Sequence, residues 1–403
     1  MDLIRQPVCD LNERPFMVIW ETTHACDLAC RHCRAEAQPE HDPLSLSTDE
    51  ARRLLNQVES FGRPRPIFIF TGGDPFKRPD LFELVGYAAQ IGLPPAVSPS
   101  GTPLLTTDNL RHLKQVGAKA ISLSLDGSSA ARHDDFRRVP GSFAWTTGGW
   151  QAARAMGLKL QLNTTVTRYN LDDLPNLFRL VQEIGAMTWS WFFLVPTGRG
   201  RQEDEISPAE YEAVMHFLYD VSKYISAKTT EGHHYKRIVL QRAILEEKGV
   251  PLEEYATLHP VYTQLKERLN DIVRQVGLQP RARGIQRTPM HINAGNGFVF
   301  VSRRGEVFPS GFLPLSAGNV RSASLVDIYR DAPLFRSLRD TRQYRGRCGA
   351  CEFVGVCGGS RSRAYAVTGD PLAEEPFCTY QPGSFPFQRE LRERAGSILS
   401  HAE

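Results

Sequence analysis

Short apolar runs alternate with amphipathic segments along the first half of the chain. The apolar runs have the length and flanking turn residues of buried strands, at 16–20, 67–70, 94–98, 119–127, 158–166 and 187–195. The segments between them repeat apolar residues at helical spacing, at 46–58, 79–91, 107–116, 145–156 and 171–184. Strands that alternate with helices predict right-handed parallel βαβ units, so the fold class is α/β. Six strands are too few for a closed eight-stranded barrel.

The pattern changes after residue 200. Helical spacing is found at 208–222, 238–248 and 262–276, separated by polar spacers, and a β-hairpin is predicted at 295–308. His233 and His234 could be ligands, but adjacent histidines in a polar loop are expected to be solvent-exposed. We likewise expect Lys236, Arg237 and Arg242 on a solvated face, although they could meet an acidic substrate.

Composition narrows the class of protein. The chain has 403 residues, of which 41% are hydrophobic and 23% charged, as in ordinary soluble globular proteins. A net charge of +3 argues against a dedicated nucleic-acid-binding protein. The first residues lack the apolar stretch of a signal peptide, and no run approaches about 18 apolar residues. We therefore expect a cytoplasmic protein that does not bind a membrane and whose thiols stay reduced.

The eight cysteines fall into two groups and one outlier, Cys9, which is expected to be an ordinary free thiol. Reduced cysteines in close groups indicate metal sites more than disulfides. The first group follows the first predicted strand and consists of Cys26, Cys30 and Cys33. Three thiolates are one short of the four in a closed zinc or iron–sulfur site, so one metal position would stay open. The alternative is a partial zinc site or three reduced core thiols.

This first group resembles the motif of the radical S-adenosylmethionine (SAM) superfamily. The spacing C-x3-C-x2-C after the first strand, with His32 before the last cysteine, is similar to that family's motif. The resemblance implies a partial (β/α)6 barrel and a [4Fe–4S] cluster on Cys26, Cys30 and Cys33, whose open iron binds SAM. It also implies reductive cleavage of SAM to a 5′-deoxyadenosyl radical that takes hydrogen from the substrate. The resemblance also implies that His32 is a cofactor-binding residue.

The stretch after the second predicted strand resembles the part of the same family that binds the SAM amino group. It consists of Gly72, Gly73 and Asp74, with Pro75 as the turn former. Glycines directly after a strand let another group approach the backbone closely. The alternative is an ordinary turn between a strand and a helix.

The end of the fourth predicted strand also resembles a SAM-contacting part of the family. Ser124 is similar to a hydroxyl that reaches SAM, and Arg137 to a cation that pairs with its carboxylate. A guanidinium suits that role because it binds carboxylates with two hydrogen bonds. The alternative for Arg137 is a surface ion pair. Asp126 is expected to be a turn residue before Gly127.

The second group of cysteines is a complete set of four. Cys348, Cys351, Cys357 and Cys378 supply the ligands of a closed metal site, and their spacing alone does not separate zinc from iron–sulfur. Together with the first motif, they resemble the C-terminal SPASM region of radical SAM enzymes, which carries auxiliary [4Fe–4S] clusters. The full pattern has further cysteines where this chain has Ser310 and Arg361. The resemblance therefore implies a single auxiliary cluster, fully ligated by protein, and two clusters in all.

The patterns and resemblances together give a predicted domain division. It comprises an N-terminal extension (1–15), a partial barrel (16–200), a helical insert or bridging region (201–290), a small α+β SPASM/twitch-like domain with a hairpin (291–383) and a C-terminal tail (384–403).

The sequence of residues 357–378 looks most like that of radical SAM proteins that hold two clusters and modify tetrapyrrole side chains. Those proteins act in the alternative haem pathway and in the biosynthesis of the nitrite-reductase haem. The resemblance implies hydrogen abstraction from a tetrapyrrole, with the auxiliary cluster accepting or relaying an electron and with decarboxylation or side-chain loss. A flavodoxin or ferredoxin would be the electron donor. The alternatives are a maturase of a ribosomally synthesised peptide and, in another class, a non-catalytic iron–sulfur or zinc protein. No catalytic acid or base is identifiable, since the resemblance implies that the deoxyadenosyl radical abstracts the hydrogen atom and that the protein orients the substrate.

Overall fold

The structure is a computed structural model that describes residues 4–5, 7–281 and 290–395. Within these residues the strands are β1 (Met17–Glu21), β2 (Ile67–Thr71), β3 (Pro95–Val97), β4 (Ala120–Ser124), β5 (Lys159–Val166), β6 (Thr188–Phe193), β7 (Ala227–Thr230), β8 (Phe298–Val301), β9 (Glu306–Phe308) and β10 (Gly318–Asn319). These described strands form one ten-stranded sheet in the order β10-β9-β8-β1-β2-β3-β4-β5-β6-β7.

The strands from β1 to β7 are all parallel, each paired with the next along the chain. The predicted α/β fold with an incomplete barrel is thereby confirmed. β8 pairs in parallel with β1 on its other side, and β9 and β10 continue antiparallel. The C-terminal ends of β1 to β8 therefore share one edge of the sheet, which is where such sheets place their ligands.

Helices connect and cover the strands. They are α1 (Thr48–Glu59), α2 (Leu81–Gln90), α3 (Thr107–Gln115), α4 (Ala130–Arg137), α5 (Ser142–Ala155), α6 (Leu174–Ile184), α7 (Pro208–Val221), α8 (Tyr235–Lys248), α9 (Leu252–Tyr255), α10 (Val261–Val276), α11 (Leu325–Asp331), α12 (Pro333–Arg339), α13 (Gly346–Gly349), α14 (Arg361–Thr368) and α15 (Gln388–Ala395). Among the described helices, none combines the length and apolar character needed to cross a membrane.

Burial alternates along the strands because neighbouring side chains point to opposite faces of the sheet. In β5, Leu160 and Leu162 are buried, whereas Gln161 and Asn163, which alternate with them, stay partly exposed. The buried face packs against helices such as α1, whose Leu54 and other apolar residues follow helical spacing. Burial of each such side chain stabilises the folded state by about 1.5–3 kcal/mol, because apolar surface is removed from water. The helix-covered face thus holds the core, and the polar face lines the inside of the curved sheet.

Two features of the sheet were not expected. β7 lies inside the region predicted to be helical, and its sequence, Ala-Lys-Thr-Thr, has no apolar run that would have marked a strand. The predicted hairpin exists as β8 and β9, but it extends the main sheet through β1. Backbone hydrogen bonds therefore cross the predicted boundary between the barrel and the C-terminal region, while the division into domains stays a prediction.

The charged middle segment is buried, and the expectation of a solvated face there was wrong for two arginines. Arg237 is 2% exposed and pairs with Glu212 at 2.6 Å, and Arg242 is 6% exposed and pairs with Asp220 at 2.8 Å. The expectation that His234 is exposed was also wrong, since it is fully buried. Ion pairing between α7 and α8 compensates the free-energy cost of removing these charges from water. The order of charged residues along the sequence does not reveal this pairing.

Candidate active site

The loop after β1 brings three of the cysteines together. Cys26 is 6% and Cys30 7% exposed, and Cys33 packs against them. The end of α4 fixes the loop, because the backbone N–H groups of residues 29 and 31 donate to the carbonyl oxygens of Arg137 and Phe136, at 3.2 and 3.1 Å. Burial raises the pKa of Cys26 to about 11. Burial therefore opposes ionisation of the Cys26 and Cys30 thiols unless a metal binds them.

Gly72 and Gly73 allow the turn after β2 to pack against the start of the cysteine loop. A Cβ at Gly72 would lie 2.4 Å from the carbonyl oxygen of Thr23, and one at Gly73 would lie 2.4 Å from that of Ala25. The Gly73 N–H donates to the Thr23 carbonyl at 2.7 Å. The close approach that the glycines permit is thus to the chain's own backbone, which sets the position of the loop that carries Cys26.

Asp74 is fully buried beside these glycines, and Pro75 follows it at the start of a short 3-10 turn. Its carboxylate accepts hydrogen bonds from the Thr102 hydroxyl at 2.6 Å and from the Phe76 N–H at 3.2 Å. Burial raises its pKa, and these bonds oppose that shift. The carboxylate therefore organises the turn after β2 from within the protein.

Arg137 lies beside the cysteines with its guanidinium nearly buried. One terminal nitrogen, Nη1, is 3.4 Å from Cys30 Sγ, and the other forms an ion pair with Asp126. Its Nε has no hydrogen-bond partner among the described residues. The predicted alternative of a surface ion pair was wrong, since the pair is buried. Ser124 is partly exposed at the end of β4, two residues before Asp126.

Asp126 was missed as a site residue, because the sequence suggested a turn former. It is 1% exposed, and besides Arg137 it accepts the Thr165 N–H at 2.7 Å. Its own N–H donates to Nδ1 of His133 at 3.2 Å. A carboxylate two residues after Ser124, followed by a nearby arginine, was the available signal. Asp126 therefore holds the guanidinium of Arg137 that faces Cys30.

His32 lies between the cysteine loop and α4, with its ring centroid 4.7 Å from that of Phe136. Its Nδ1 has no hydrogen-bond partner among the described residues. Burial lowers its pKa well below the ordinary value, and the positive charges of Arg137 and Arg199 lower it further. The imidazole is therefore neutral at pH 7.

The turn after β6 braces the cysteine loop, and sequence analysis gave it no role. Nε of Arg199 donates to the carbonyl of Cys30 at 3.0 Å, and its backbone N–H donates to that of Cys33 at 3.0 Å. Gly198 has a φ of +58°, and a Cβ there would lie 2.4 Å from the Arg34 carbonyl oxygen. The Gly-Arg-Gly sequence at 198–200 could have indicated a special turn, but the sequence alone does not show that this turn contacts the cysteine loop.

The second group of cysteines surrounds one cavity. Cys348, Cys351, Cys357 and Cys378 line it. The backbone N–H groups of residues 359 and 375 point at Sγ of Cys357 and Cys348, at 3.4 and 3.2 Å. Burial raises the pKa of Cys357 to about 12. Burial likewise opposes ionisation of the Cys351 and Cys378 thiols, so a bound metal would be needed to compensate the charge of these thiolates.

In the part of the chain that the structure describes, no three His, Cys, Asp or Glu side chains converge as the ligands of one metal ion do. Tetrahedral zinc draws its sulfurs to within about 2.3 Å of one point. Four thiols around one cavity are the number that a closed zinc site or a protein-ligated iron–sulfur cluster requires.

Arg361 and Ser310, which replace cysteines of the fuller pattern, are both buried and bonded to protein groups. Nη2 of Arg361 lies 3.6 Å from Cys348 Sγ, and Nη1 donates to the Ala373 carbonyl at 2.6 Å. The Ser310 hydroxyl donates to Glu231 at 2.9 Å. The same carboxylate accepts from the hydroxyls of Ser360 and Ser362. A carboxylate–hydroxyl network therefore joins the turn after β7, the hairpin and the start of α14.

Comparison with known proteins agrees with this geometry. Residues 20–181 match the family model described as the Radical SAM superfamily. The chain is 39% identical to the AdoMet-dependent heme synthase of Methanosarcina barkeri, over 93% of this chain and 99% of that one. It is 42% identical to the AdoMet-dependent heme synthase of Nitratidesulfovibrio vulgaris, over 93% and 94% of the two chains.

The fold is similar to that of a solved structure, native anSMEcpe with bound AdoMet. The TM-score is 0.61 at 15% identity, covering 96% of this chain and 98% of that one. At that identity the likeness concerns the fold. The extensive identity to the two synthases shows the family: the chain belongs to the radical SAM superfamily of enzymes, in the branch that includes the AdoMet-dependent heme synthases.

Proposed function

We propose that this enzyme oxidatively decarboxylates propionate side chains of an iron-containing tetrapyrrole. The observation that carries the proposal is the identity of 39% and 42%, over more than nine-tenths of this chain, to two proteins named AdoMet-dependent heme synthase. Haem carries vinyl groups, and a vinyl group is formally a propionate that has lost CO2 and hydrogen. A radical enzyme that takes a hydrogen atom from the propionate can start that conversion.

The first centre is proposed to hold the cluster and SAM that this family uses. Its cluster ligands would be Cys26, Cys30 and Cys33, in the loop that the ends of α4 and β6 fix. When bound, the cluster and SAM supply a radical that abstracts hydrogen. The residues proposed to contact SAM are His32, Gly72, Gly73, Asp74, Pro75, Ser124 and Arg137.

Within that set, the contacts suggest different roles. Arg137 keeps its positive charge beside Cys30 because Asp126 pairs with it, so it is suited to binding the SAM carboxylate. Ser124 is partly exposed and can reach a ligand. Asp74 accepts the Phe76 N–H of its own turn and the Thr102 hydroxyl after β3, so its role would be to shape the backbone that meets SAM.

The second centre is proposed to hold an auxiliary [4Fe–4S] cluster on Cys348, Cys351, Cys357 and Cys378. Four cysteines complete the ligand set of such a cluster. No position is then left for substrate, so the cluster is suited to accepting one electron. The positive Arg361 near Cys348, and the backbone N–H groups at two of the sulfurs, favour an added negative charge.

The proposed reaction conserves atoms and electrons. The side chain –CH2–CH2–COO⁻ would lose one hydrogen atom from the carbon next to the ring, and that atom would end in 5′-deoxyadenosine. The resulting carbon radical would lose one electron, for which a cluster held by Cys348, Cys351, Cys357 and Cys378 would be the acceptor, and the bond to the carboxylate would break. The products are –CH=CH2 and CO2. A flavodoxin or ferredoxin would supply the electron that starts each turnover.

The test is an anaerobic assay of the reconstituted protein with SAM, a reductant and Fe-coproporphyrin III. We expect about eight irons per chain, formation of 5′-deoxyadenosine, and conversion of propionates to vinyl groups with release of CO2, detected by mass spectrometry. A porphyrin whose propionates are methyl esters is the matched control substrate and should not be converted. Cys30→Ala should abolish both products.

Other outcomes would refute parts of the proposal. Deoxyadenosine formed without any change in the porphyrin would refute the substrate class, and conversion of a peptide instead would establish the maturase alternative. About four irons per chain, or zinc on the C-terminal cysteines, would refute the auxiliary cluster.

A further inference from the structure

His234 lies where the middle segment meets the cavity of the four C-terminal cysteines. It directly precedes α8, its side chain is fully buried, and it lines the cavity with those cysteines. Neither Nδ1 nor Nε2 has a hydrogen-bond partner among the described residues. Buried polar side chains are nearly always hydrogen-bonded, so an imidazole with two unpaired nitrogens needs an explanation.

The charged groups in the same wall have partners within the protein. Arg237 donates to both oxygens of Glu212, at 2.9 and 2.6 Å. Arg347 donates to Glu374 at 3.1 Å and to the carbonyl of Cys378. The imidazole of His234, unlike these guanidiniums, has no hydrogen-bond partner among the described residues. A group that fills the cavity would be the first to which it could hydrogen-bond.

We propose that His234 donates a hydrogen bond from its ring N–H to a sulfur of the auxiliary cluster held by Cys348, Cys351, Cys357 and Cys378. This inference rests on the proposed auxiliary cluster. A neutral imidazole carries one N–H donor, and the cavity offers it cysteine sulfurs and, with a cluster bound, inorganic sulfides. Since four cysteines complete the ligand set, the imidazole is not needed as an iron ligand.

The hydrogen bond has a consequence for electron transfer. A donor at a cluster sulfur stabilises the negative charge that the cluster gains on reduction, so it raises the reduction potential. The proposed reaction needs the auxiliary cluster to accept an electron from the substrate radical. His234 therefore favours the direction of electron flow that the decarboxylation requires.

The test compares two variants at this position in the reconstituted enzyme. His234→Leu fills a similar volume without a donor, and His234→Gln retains an N–H donor. The auxiliary cluster's reduction potential is measured by anaerobic potentiometric titration followed by EPR. We expect a more negative potential in His234→Leu and a value closer to wild type in His234→Gln. His112→Leu, at an exposed position on α3, is the control and should leave the potential unchanged.

A measurement on the wild-type sequence keeps the inference testable if a variant fails to assemble its cluster. With ¹⁵N-labelled histidine, pulsed EPR of the reduced auxiliary cluster should show a weak nitrogen coupling and an exchangeable proton. A strong coupling from direct Fe–N bonding, or no coupling at all, would overturn the inference. An unchanged potential in His234→Leu with about eight irons bound would also overturn it.

The iron count distinguishes failure of the cluster from failure of the hydrogen bond. A wild-type protein with about four irons refutes the auxiliary cluster itself and with it the proposed function of the second centre. A wild-type protein with about eight irons, whose auxiliary cluster does not respond to the loss of His234, refutes only the hydrogen bond.

Discussion

The ion pair between Asp126 and Arg137 gives a sharp test of the first centre. The change Asp126→Asn removes the carboxylate charge but preserves the shape of the side chain and its carbonyl acceptor. The amide can still accept the Thr165 N–H, which Asp126 accepts at 2.7 Å. What is lost is the charge that compensates a buried guanidinium beside Cys30.

The magnitude follows from burial. The Asp126 side chain is fully buried and that of Arg137 is 10% exposed. Removing one partner of a buried pair lowers the free energy of unfolding by about 3–5 kcal/mol, because the other charge stays buried without compensation. With an unfolding entropy of about 2.1 cal/mol/K per residue over 403 residues, that loss lowers the melting temperature by about 4–6 °C.

The assay is anaerobic thermal unfolding of the reconstituted protein, followed by tryptophan fluorescence. Asp135→Asn, on the helix α4 that also carries Arg137, is the matched control, since Asp135 is 65% exposed and pairs with Arg31 at the surface. Such a pair contributes about 0–1 kcal/mol, so the control should melt within about 1 °C of wild type. If Asp126→Asn melts together with this control, the reasoning about the buried pair is wrong. SAM cleavage should fall in Asp126→Asn alone.

Three further changes test other parts of the molecule. Gly198→Ala should reduce iron content and SAM cleavage by displacing the cysteine loop, whereas Gly148→Ala, on an open helix surface, should leave both unchanged. Burial lowers the pKa of His133 to about 4, so the free energy of unfolding should fall by about 3 kcal/mol between pH 6.5 and 4, as the unfolded chain binds the proton first. His133→Gln should lack that contribution in urea unfolding measured across this range, and an unchanged slope would contradict the assignment. Cys351→Ser should lower the iron count by about four while deoxyadenosine still forms, and loss of SAM cleavage as well would show that the centres are not independent.

The repeating order of strands and helices could be predicted because each element carries its own periodicity. The strands from β1 to β6 are apolar runs between turn residues, and the two groups of cysteines stand out by spacing alone. These signals are local in the sequence. They establish the fold class and the candidate ligands without any knowledge of long-range contacts.

The residues that support the ligands could not be predicted in the same way. Asp126 resembles an ordinary turn residue until Arg137 is seen beside it, and Arg199 contacts a loop more than 160 residues earlier. His234 resembles an exposed loop histidine because most of the cavity wall is built from residues more than 100 positions later. β7 is too polar to be recognised from periodicity, and its partner β6 supplies the hydrogen bonds that make it a strand.

The pairing of β8 with β1 has a consequence for motion between the barrel and the C-terminal region. The strand that leads into the cysteine loop and the strand that leads into the C-terminal region share a ladder of backbone hydrogen bonds, from Met17 opposite Phe298 to Trp20 opposite Val301. A hinge between these two strands could not open without breaking that ladder. The start of the C-terminal region is therefore held to the barrel by main-chain bonds, so hydrogen exchange at β8 should be as slow as at β1.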